Sequence, residues 1–315
     1  MLGDLSTYMD ISVVVPTLNG RDRLSAGLDA LAAHVPDAEV IVANGPSADG
    51  TTGMVRERND VDILVEISER TVNVARNAGL ELASGEVVAF VDFFNRVSSD
   101  WLASLRTGLE SASVVTGPAH REVKGGHTTE TQEVEQIAGH EVDYFNGGNV
   151  AFQTDILEQL DGFDEYLVTG GARDAAHRLA EMGIDVAWEP GMCVTQEPGE
   201  DPNDWGWKYR ALAYRAVKSH GLRPTVLRRL VSQATGDAMS VAKDVLSGNA
   251  APTTWFGNGR DIVTGFSAGM SDGLVARARD RTPCRNPNGV STREDRAVAR
   301  YDLRERREPD IASNA

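Results

Sequence analysis

Short apolar runs alternate with amphipathic segments along the first part of the chain. Buried strands are predicted where these runs are rich in β-branched residues, at residues 11–15, 39–43, 61–65, 86–91 and 113–116. Leucines at helical spacing follow the first run, and further helices are predicted over residues 72–82 and near 101–109. Strands that alternate with helices predict right-handed βαβ units and a mostly parallel sheet sandwiched by helices. The expected fold class is therefore α/β.

The pattern changes after residue 120. Residues 121–139 are polar, with a Lys-Gly-Gly turn and two threonine pairs, and we expect a mobile excursion there. Strand character returns at residues 143–152, before one more helix and one more strand. These elements complete the first predicted domain, residues 1–203, which ends in the proline- and acid-rich segment 197–202.

Residues 204–315 are predicted to form a basic, mainly helical extension with a loosely ordered tail. Apolar positions at helical spacing predict helices over residues 205–220, 224–246 and 261–280. The segment 293–309 is rich in arginine, and we expect it to be the loosely ordered part.

Composition narrows the class of protein. The 315 residues are 41% hydrophobic and 25% charged, which is typical of a globular chain and argues against wholesale disorder. The longest apolar runs are strand-length, far below the roughly 20 residues of a membrane span, and residues 1–9 lack the pattern of a secretory signal. Cys193 and Cys284 are too few for a disulfide scaffold or a four-ligand zinc site, which fits a reducing cytoplasm.

Charge is unevenly distributed along the chain. The formal net charge is −16, and arginine supplies 27 of the 31 basic side chains, as on the acidic, lysine-poor surfaces of proteins from extreme halophiles. Residues 1–204 carry 12 basic and 36 acidic side chains (net −24), whereas residues 205–315 carry 19 and 11 (net +8). The basic part faces an anionic partner, such as lipid headgroups or a phosphate-bearing acceptor, or docks on its own acidic domain. The acidic body and the lack of an aromatic–basic repeat argue against nucleic acid.

Polar residues stand where the predicted strands end. The first strand is stopped by Pro16, the second is followed by the loop 44–51, and the fourth ends at Asp92. The helix before that fourth strand carries Arg76. Because ligands of mostly parallel sheets bind outside the carboxyl ends of the strands, these loops are the expected site. A carboxylate there suits a metal ion or a sugar hydroxyl.

Four motifs in this order resemble family 2 glycosyltransferases of the GT-A fold, a Rossmann-like architecture. They are Val-Val-Pro-Thr-Leu-Asn at 14–19, Asn-Gly-Pro-Ser-Ala-Asp-Gly-Thr at 44–51, Ala-Arg-Asn-Ala-Gly at 75–79 and Gly-Glu-Val-Val-Ala-Phe-Val-Asp at 85–92. Further matching motifs are residues 146–152, Phe163-Asp164-Glu165 and His177-Arg178-Leu179, so that the resemblance covers about residues 11–197. The aromatic and basic run at 205–215 is similar to a haloarchaeal subgroup whose members add sugars to dolichol-phosphate-linked glycans for protein N-glycosylation.

The resemblance implies a nucleotide-diphosphate-sugar donor, a divalent metal ion such as Mg²⁺ or Mn²⁺, and direct displacement at the anomeric carbon with inversion. It implies donor contacts from Thr17, Asn19, Asn44, Arg76 and Asp92. Asp92 is also the first carboxylate of the family's Asp-x-Asp motif, and we expect it to bind the metal ion together with Asn95. A metal ion that bridges the donor phosphates makes them a better leaving group. The residues expected to contact the acceptor are Asn146, Asn149, Trp205 and Trp207.

The chain departs from the family pattern at three places. Phe94 stands at the second aspartate of Asp-x-Asp, and Gln196 stands where a histidine often closes the metal site. The usual Glu-Asp pair that supplies the base falls within residues 171–173, none of which is acidic. Asp174 is the nearest carboxylate and therefore the candidate base, which takes the proton from an acceptor hydroxyl. Arg173 is predicted to contact the donor pyrophosphate or an anionic sugar such as a uronate.

These features predict a glycosyltransferase that moves a hexose or hexuronic acid from a nucleotide sugar to a polyprenyl- or dolichol-phosphate-linked glycan at the inner face of the cell membrane. No transmembrane helix is predicted, so attachment is expected to be peripheral, through the basic extension. The altered metal and base positions leave an alternative, a non-catalytic nucleotide-sugar- or glycan-binding relative that scaffolds an assembly complex. A nucleotidyltransferase shares a related sheet, but the motifs after residue 145 favour sugar transfer.

Overall fold

The computed structural model describes residues 9–123, 126–137, 139–196, 205–225, 252–281, 284–287 and 297–304, with the single positions 228, 232, 235 and 289. The described residues form eight helices: α1 Arg21–His34, α2 Thr51–Arg56, α3 Val72–Leu80, α4 Trp101–Leu109, α5 Thr154–Leu160, α6 Gly171–Met182, α7 Trp205–His220 and α8 Pro252–Asp280. They also form fourteen strands: β1 Ile11–Thr17, β2 Glu39–Asn44, β3 Ile63–Ile67, β4 Val87–Val91, β5 Asn95–Val97, β6 Val114–Thr116, β7 Ala119–Val123, β8 Gly126–Thr129, β9 Glu133–Ile137, β10 His140–Tyr144, β11 Asn149–Gln153, β12 Val186–Trp188, β13 Val194–Gln196 and β14 Ala297–Asp302.

Eight strands form the central sheet, in the order β12-β6-β11-β4-β1-β2-β3-β14. Strands β4, β1, β2 and β3 are parallel neighbours, and only β11 and β14 of this sheet run against the others. The predicted α/β fold with a mostly parallel sheet is confirmed. Because successive side chains of a strand point to opposite faces, the buried run of β1 serves two cores. Val13 and Val15 pack with Leu24 of α1, whereas Val14 packs in the second core with Phe90 and Phe163.

A second layer of short strands lies beyond the carboxyl edge of the main sheet. Four strands pair in the order β5-β13-β7-β8, and β9 and β10 form an antiparallel hairpin. The expectation of a mobile excursion over residues 121–139 is wrong for the described residues in that range. Those residues are polar and largely exposed, so they have no apolar pattern that would predict strands. Backbone hydrogen bonds to β13 and β10 hold them in position instead.

Helices α7 and α8 pack against each other and against the first part of the chain. Tyr214 and Lys218 of α7 both donate hydrogen bonds to the buried carboxylate of Asp164, at 2.7 and 2.6 Å. The predicted helix over 224–246 lies almost wholly outside the described residues. Within the described part of the chain, no helix is long and apolar enough to cross a membrane.

The expected loosely ordered tail is wrong over β14, which pairs antiparallel with β3 and covers that edge of the main sheet. Tyr301 of β14 also lies under the guanidinium of Arg56, 4.6 Å from the ring centre. The extension thus contributes a strand to the first domain's sheet, and the boundary at residue 203 stays a prediction.

Candidate active site

Two cavities open at the carboxyl ends of the parallel strands, where the sequence predicts the site. The first measures about 260 Å³ and lies over the ends of β1, β2 and β3, beside the start of α3. The second measures about 540 Å³ and lies between the small strands and the amino terminus of α6. Val72, Arg76 and Asp92 line both cavities, so these residues stand at the junction.

The junction is an ion pair. Nη2 of Arg76 lies 3.2 Å from Oδ1 of Asp92, and the arginine side chain is only 6% exposed. Nε of Arg76 is buried without a hydrogen-bond partner among the described residues. Two glycines make the close approach possible. A Cβ on Gly148 would lie 2.2 Å from Oδ2 of Asp92, and one on Gly147 would lie 3.0 Å from both terminal nitrogens of Arg76.

Three of the five predicted donor residues line the first cavity: Thr17, Arg76 and Asp92. The hydroxyl of Thr17 is buried without a hydrogen-bond partner among the described residues. Asn19 and Asn44 brace the neighbouring loop and line neither cavity. Asn19 accepts a hydrogen bond from the amide of Ala48 at 2.8 Å, and the fully buried Asn44 accepts one from the Ser47 hydroxyl at 2.7 Å.

Sequence reasoning missed part of the first cavity. Glu69, Arg70 and Thr71 line it from the loop after β3, and Phe93 and Phe94 close one side. The two phenyl rings meet edge to face, with centres 5.1 Å apart. The position of residues 69–71 directly after a predicted strand was the available signal, because that strand ends at the same edge of the sheet as β1 and β2.

The residues present do not fit the divalent metal that the family resemblance implies. Asp92 is already neutralised by Arg76, and the side chain at Phe94 offers no ligand atom. Asn95 is buried and donates to the carbonyl of Gly148 at 2.7 Å, while the Gln196 carbonyl oxygen accepts a hydrogen bond from Arg121 at 2.5 Å. Among the described residues, no group of three or more His, Cys, Asp or Glu side chains could hold a metal ion.

Two more of the predicted residues, Arg173 and Asn146, line the second cavity beside Arg76 and Asp92. Arg173 donates two hydrogen bonds to Glu133, at 3.0 and 2.6 Å, and its guanidinium lies 4.2 Å from the ring centre of Tyr144. Burial opposes the charge of Arg173, but the hydrogen bonds to Glu133 outweigh it and raise the pKa of the guanidinium. Asn146 donates to Glu130 at 2.8 Å.

Asp174 does not fit the predicted role of base. It is fully buried, lines neither cavity and accepts a hydrogen bond from Arg178 at 2.8 Å, with Lys218 at 3.5 Å from its other oxygen. Burial alone would raise the pKa of this carboxyl, but the charges of Lys218 and Arg178 prevail and lower it. A carboxylate held ionised inside the protein has no access to an acceptor hydroxyl.

Asn149, another predicted acceptor residue, does not line the second cavity. Asn149 is fully buried, where it accepts from the Trp101 indole at 2.8 Å and donates to the carbonyls of Gly117 and Met192. This arrangement ties β11 to two neighbouring loops. Trp205 and Trp207 stand in the first turn of α7, and their side chains lie outside the described residues.

Comparisons with known proteins agree with this fold. Residues 12–160 match the model for glycosyl transferase family 2. The chain is 26% identical over 200 residues to glycosyltransferase AglE of Haloferax volcanii. That alignment covers 58% of this chain and 65% of AglE, so the chain spans less than two thirds of its relative's length.

Two solved structures share the architecture. The mannosyltransferase PcManGT from Pyrobaculum calidifontis, in complex with GDP-Man and Mn²⁺, superposes with a TM-score of 0.51 at 18% identity, over 88% of this chain and 89% of that one. Residues 1–349 of TarS from S. aureus superpose with a TM-score of 0.59 at 16% identity, over 85% and 83% of the two chains.

These structures share the GT-A fold with this chain. The match of residues 12–160 to the model for glycosyl transferase family 2 agrees with the resemblance seen in the sequence motifs.

Proposed function

We propose that this chain transfers a hexose or a hexuronic acid from a nucleotide-diphosphate sugar to a lipid-phosphate-linked glycan, with inversion at the anomeric carbon. The observation that best supports this proposal is the pair of cavities that meet at Arg76 and Asp92. The first cavity takes the nucleotide and the second takes the acceptor, so that the transferred sugar lies at the junction. The GDP-mannose bound by PcManGT supports a nucleotide-sugar donor for this fold.

In this reaction an acceptor hydroxyl oxygen attacks the anomeric carbon as the bond from that carbon to the diphosphate oxygen breaks. The nucleoside diphosphate leaves with the electron pair of that bond. Arg76 faces the developing negative charge, because its guanidinium is permanently charged and buried at the junction. No step is assigned to a metal ion, since the residues at the junction do not supply its ligands.

The proton of the acceptor hydroxyl is assigned to Glu130. Of the carboxylates that line the second cavity, Asp92 is paired with Arg76 and Glu133 is bound twice by Arg173. Glu130 has the neutral amide of Asn146 as its partner and is exposed to the cavity. Glu130→Gln is expected to lower kcat by about 10²–10⁴-fold with little change in donor affinity. An unchanged kcat would remove Glu130 from the reaction.

The acceptor part of the proposal includes a membrane. The net charge of +8 on residues 205–315 supports peripheral contact with the anionic inner face of the cell membrane, where a polyprenyl- or dolichol-phosphate-linked glycan is extended for protein N-glycosylation. Arg223 and Arg228 are exposed at the start of the segment expected to make that contact.

The test is sugar transfer from a panel of UDP-, GDP- and dTDP-sugars to a dolichol-phosphate-linked glycan, with the anomeric configuration of the product read by NMR. Transfer with inverted configuration is expected, and retained configuration would contradict the proposed displacement. Donor binding without transfer across the whole panel would favour the alternative, a non-catalytic scaffold that binds nucleotide sugars or glycans. The enclosed position of Asp174 and the phenyl ring of Phe94 are the features that support this alternative.

A further inference from the structure

Within the described part of the chain, the buried guanidinium of Arg215 has no counter-ion, whereas the other buried cations named below do. Arg215 lies on α7 and is 8% exposed. Among the described residues no acceptor hydrogen-bonds to it, and its Nε is enclosed without a partner. By contrast, Arg178 binds Asp174 and two carbonyl oxygens, and Lys218 binds Asp164. Because an uncompensated buried charge is strongly unfavourable, contact with an anion would stabilise this side chain.

Arg215 points at the amino terminus of α6. A Cβ added to Gly170 would lie 2.0 Å from its Nη1. Gly170 is the N-cap of this 12-residue helix, adopts a left-handed conformation (φ 77°) and provides no side-chain cap. An α-helix leaves its first amide N–H groups without intrahelical acceptors, and here they belong to residues 171–173. Gly170 and residues 171–173 all line the second cavity.

The surrounding charges do not satisfy Arg215. Burial and the positive charge of Arg173 lower the pKa of Arg215 to about 10, against a weaker opposite effect of Tyr144 and Asp174. Asp174 is already shared between Arg178 and Lys218. The fork of Arg173 is directed to Glu133. Arg215 does not itself line the second cavity, but its Nη1 lies against Gly170, which lines the cavity together with residues 171–173 of the uncapped helix start.

We propose that the amino terminus of α6, with the guanidinium of Arg215 against its N-cap, binds an anionic group of the acceptor, a phosphate or a carboxylate. The inference rests on the proposed function, since it takes the second cavity as the acceptor site. A guanidinium fork and helix amides both suit oxyanions. An acidic side chain at residue 172 or 173 would repel such a group, and this chain has alanine and arginine there. The donor diphosphate is not the occupant, because it is assigned to Arg76 at the junction with the first cavity.

Binding of inorganic phosphate and of glucuronate, measured by isothermal titration calorimetry at constant potassium chloride, tests the site. The comparison is between the unaltered protein, Arg215→Gln and the control Arg96→Gln, which removes the same charge from an exposed position on β5. Arg215→Gln is expected to weaken binding of both probes about tenfold or more, as for the loss of a charged hydrogen-bond partner. Arg96→Gln is expected to bind them like the unaltered protein.

Thermal unfolding supplies a readout that a merely structural arginine would not give. Without phosphate, Arg215→Gln is expected to unfold at the same or a higher temperature than the unaltered protein, because an unpaired charge has been removed. Phosphate should raise the Tm of the unaltered protein and of Arg96→Gln but not that of Arg215→Gln.

Equal affinity of all three proteins for both probes would overturn the proposal. So would a parallel loss of UDP and GDP affinity in Arg215→Gln, because it would assign the guanidinium to the donor. Failure of the proposed function shows differently, as absence of nucleoside diphosphate binding from all three proteins.

Discussion

Among single residues, Arg76 has the largest consequence for the chemistry. Its guanidinium stands 3.2 Å from Asp92, at the carboxylate where the family resemblance implies a divalent cation. Two buried polar atoms without partners among the described residues, Nε of Arg76 and Oγ1 of Thr17, belong to walls of the first cavity. An arginine keeps its charge at any physiological pH, so the guanidinium of Arg76 can bind donor phosphates without a metal ion.

Donor turnover is therefore expected to be the same in Mg²⁺, in Mn²⁺ and in EDTA. Arg76→Ala should lower kcat/KM by about 10²-fold or more, since one preorganised contact to developing charge is typically worth that much. Arg76→Lys should recover part of the loss, because it keeps the charge without the planar fork. The matched control is Arg96→Ala, an exposed arginine of β5. A strict requirement for Mn²⁺ in the unaltered protein would show that Asp92 exchanges Arg76 for a metal.

The sequence predicts the junction but not the base, and the reason is local geometry. Asp92 follows a buried strand, so the end of that strand fixes its position at the edge of the sheet. Asp174 was chosen by its distance along the chain from the family's motif. In a helix each residue turns about 100° from the last. Ala172 and Arg173 consequently face the cavity, while Asp174 turns inward to Lys218.

At the scale of elements, one buried ion cluster joins α7 to α6 and to the loop after α5. Lys218 lies 2.6 Å from Asp164 and 3.5 Å from Asp174, and all three side chains are at most 1% exposed. Tyr214 adds a hydrogen bond to Asp164, and burial together with that carboxylate raises the pKa of the tyrosine. The cluster fixes the helix that carries Arg215 against the wall of the second cavity.

Lys218→Met is expected to reduce the free energy of unfolding by about 3–5 kcal/mol, because it leaves two buried carboxylates without their shared cation. Lys208→Met is the control, since Lys208 is exposed on the same helix and should change stability by no more than about 0.5 kcal/mol. Urea unfolding at pH 7 measures both. Equal stability of the two variants would mean that Arg178 and Tyr214 suffice to hold the carboxylates.

A histidine pair between the same helices makes stability depend on pH. The rings of His177 and His220 are hydrogen-bonded, with nitrogens 3.1 Å apart, and His177 is also bonded to Tyr144 at 3.2 Å. Burial, with the charges of His220 and Arg215, lowers the pKa of His177 to about 3, and burial also lowers the pKa of His220. The ring of His177 is therefore neutral in the folded protein near pH 6.

Because a histidine in the unfolded chain titrates near pH 6.5, the unfolded state binds more protons than the folded state below that pH. The free energy of unfolding should fall as pH decreases from about 6.5 towards the folded pKa of His177, by about 1.4 kcal/mol per pH unit for that ring. His177→Gln should give a shallower slope between pH 5 and pH 6.5 in urea unfolding. A slope equal to that of the unaltered protein would contradict the assignment.

The elements themselves divide according to what stabilises them. Strands β1 to β4 are continuous apolar runs buried on both faces, so hydrophobic pattern alone reveals them. Strands β7 to β9 are held by backbone ladders between polar segments. Strand β14 likewise gains its ladder from β3. The local pattern of side chains does not identify a partner strand more than 200 residues away, so the pairing of β14 with β3 is not predictable from the sequence.

For the whole molecule, the uneven charge bears on where the enzyme works. The first 204 residues carry a net charge of −24, which repels an anionic surface, whereas residues 205–315 carry +8. A protein so divided is expected to approach an anionic membrane with its extension foremost, since each basic residue near the surface contributes about 1 kcal/mol. Under the proposed function, that orientation would bring the acceptor's lipid to residues 205–315.

Co-sedimentation with vesicles tests this orientation. Binding is expected to vesicles of phosphatidylglycerol but not of phosphatidylcholine, and it should weaken as salt rises because the Debye length falls from about 10 Å at 0.1 M to about 3 Å at 1 M. Joint reversal of two exposed extension residues, Arg223→Glu with Arg228→Glu, should reduce binding. The control reverses two exposed arginines of the acidic part, Arg56→Glu with Arg96→Glu, and should leave binding nearly unchanged. If both double variants lose binding equally, the total charge of the protein governs binding and the extension has no special part in it. If the protein binds phosphatidylcholine vesicles as well as phosphatidylglycerol vesicles, the attraction is not electrostatic.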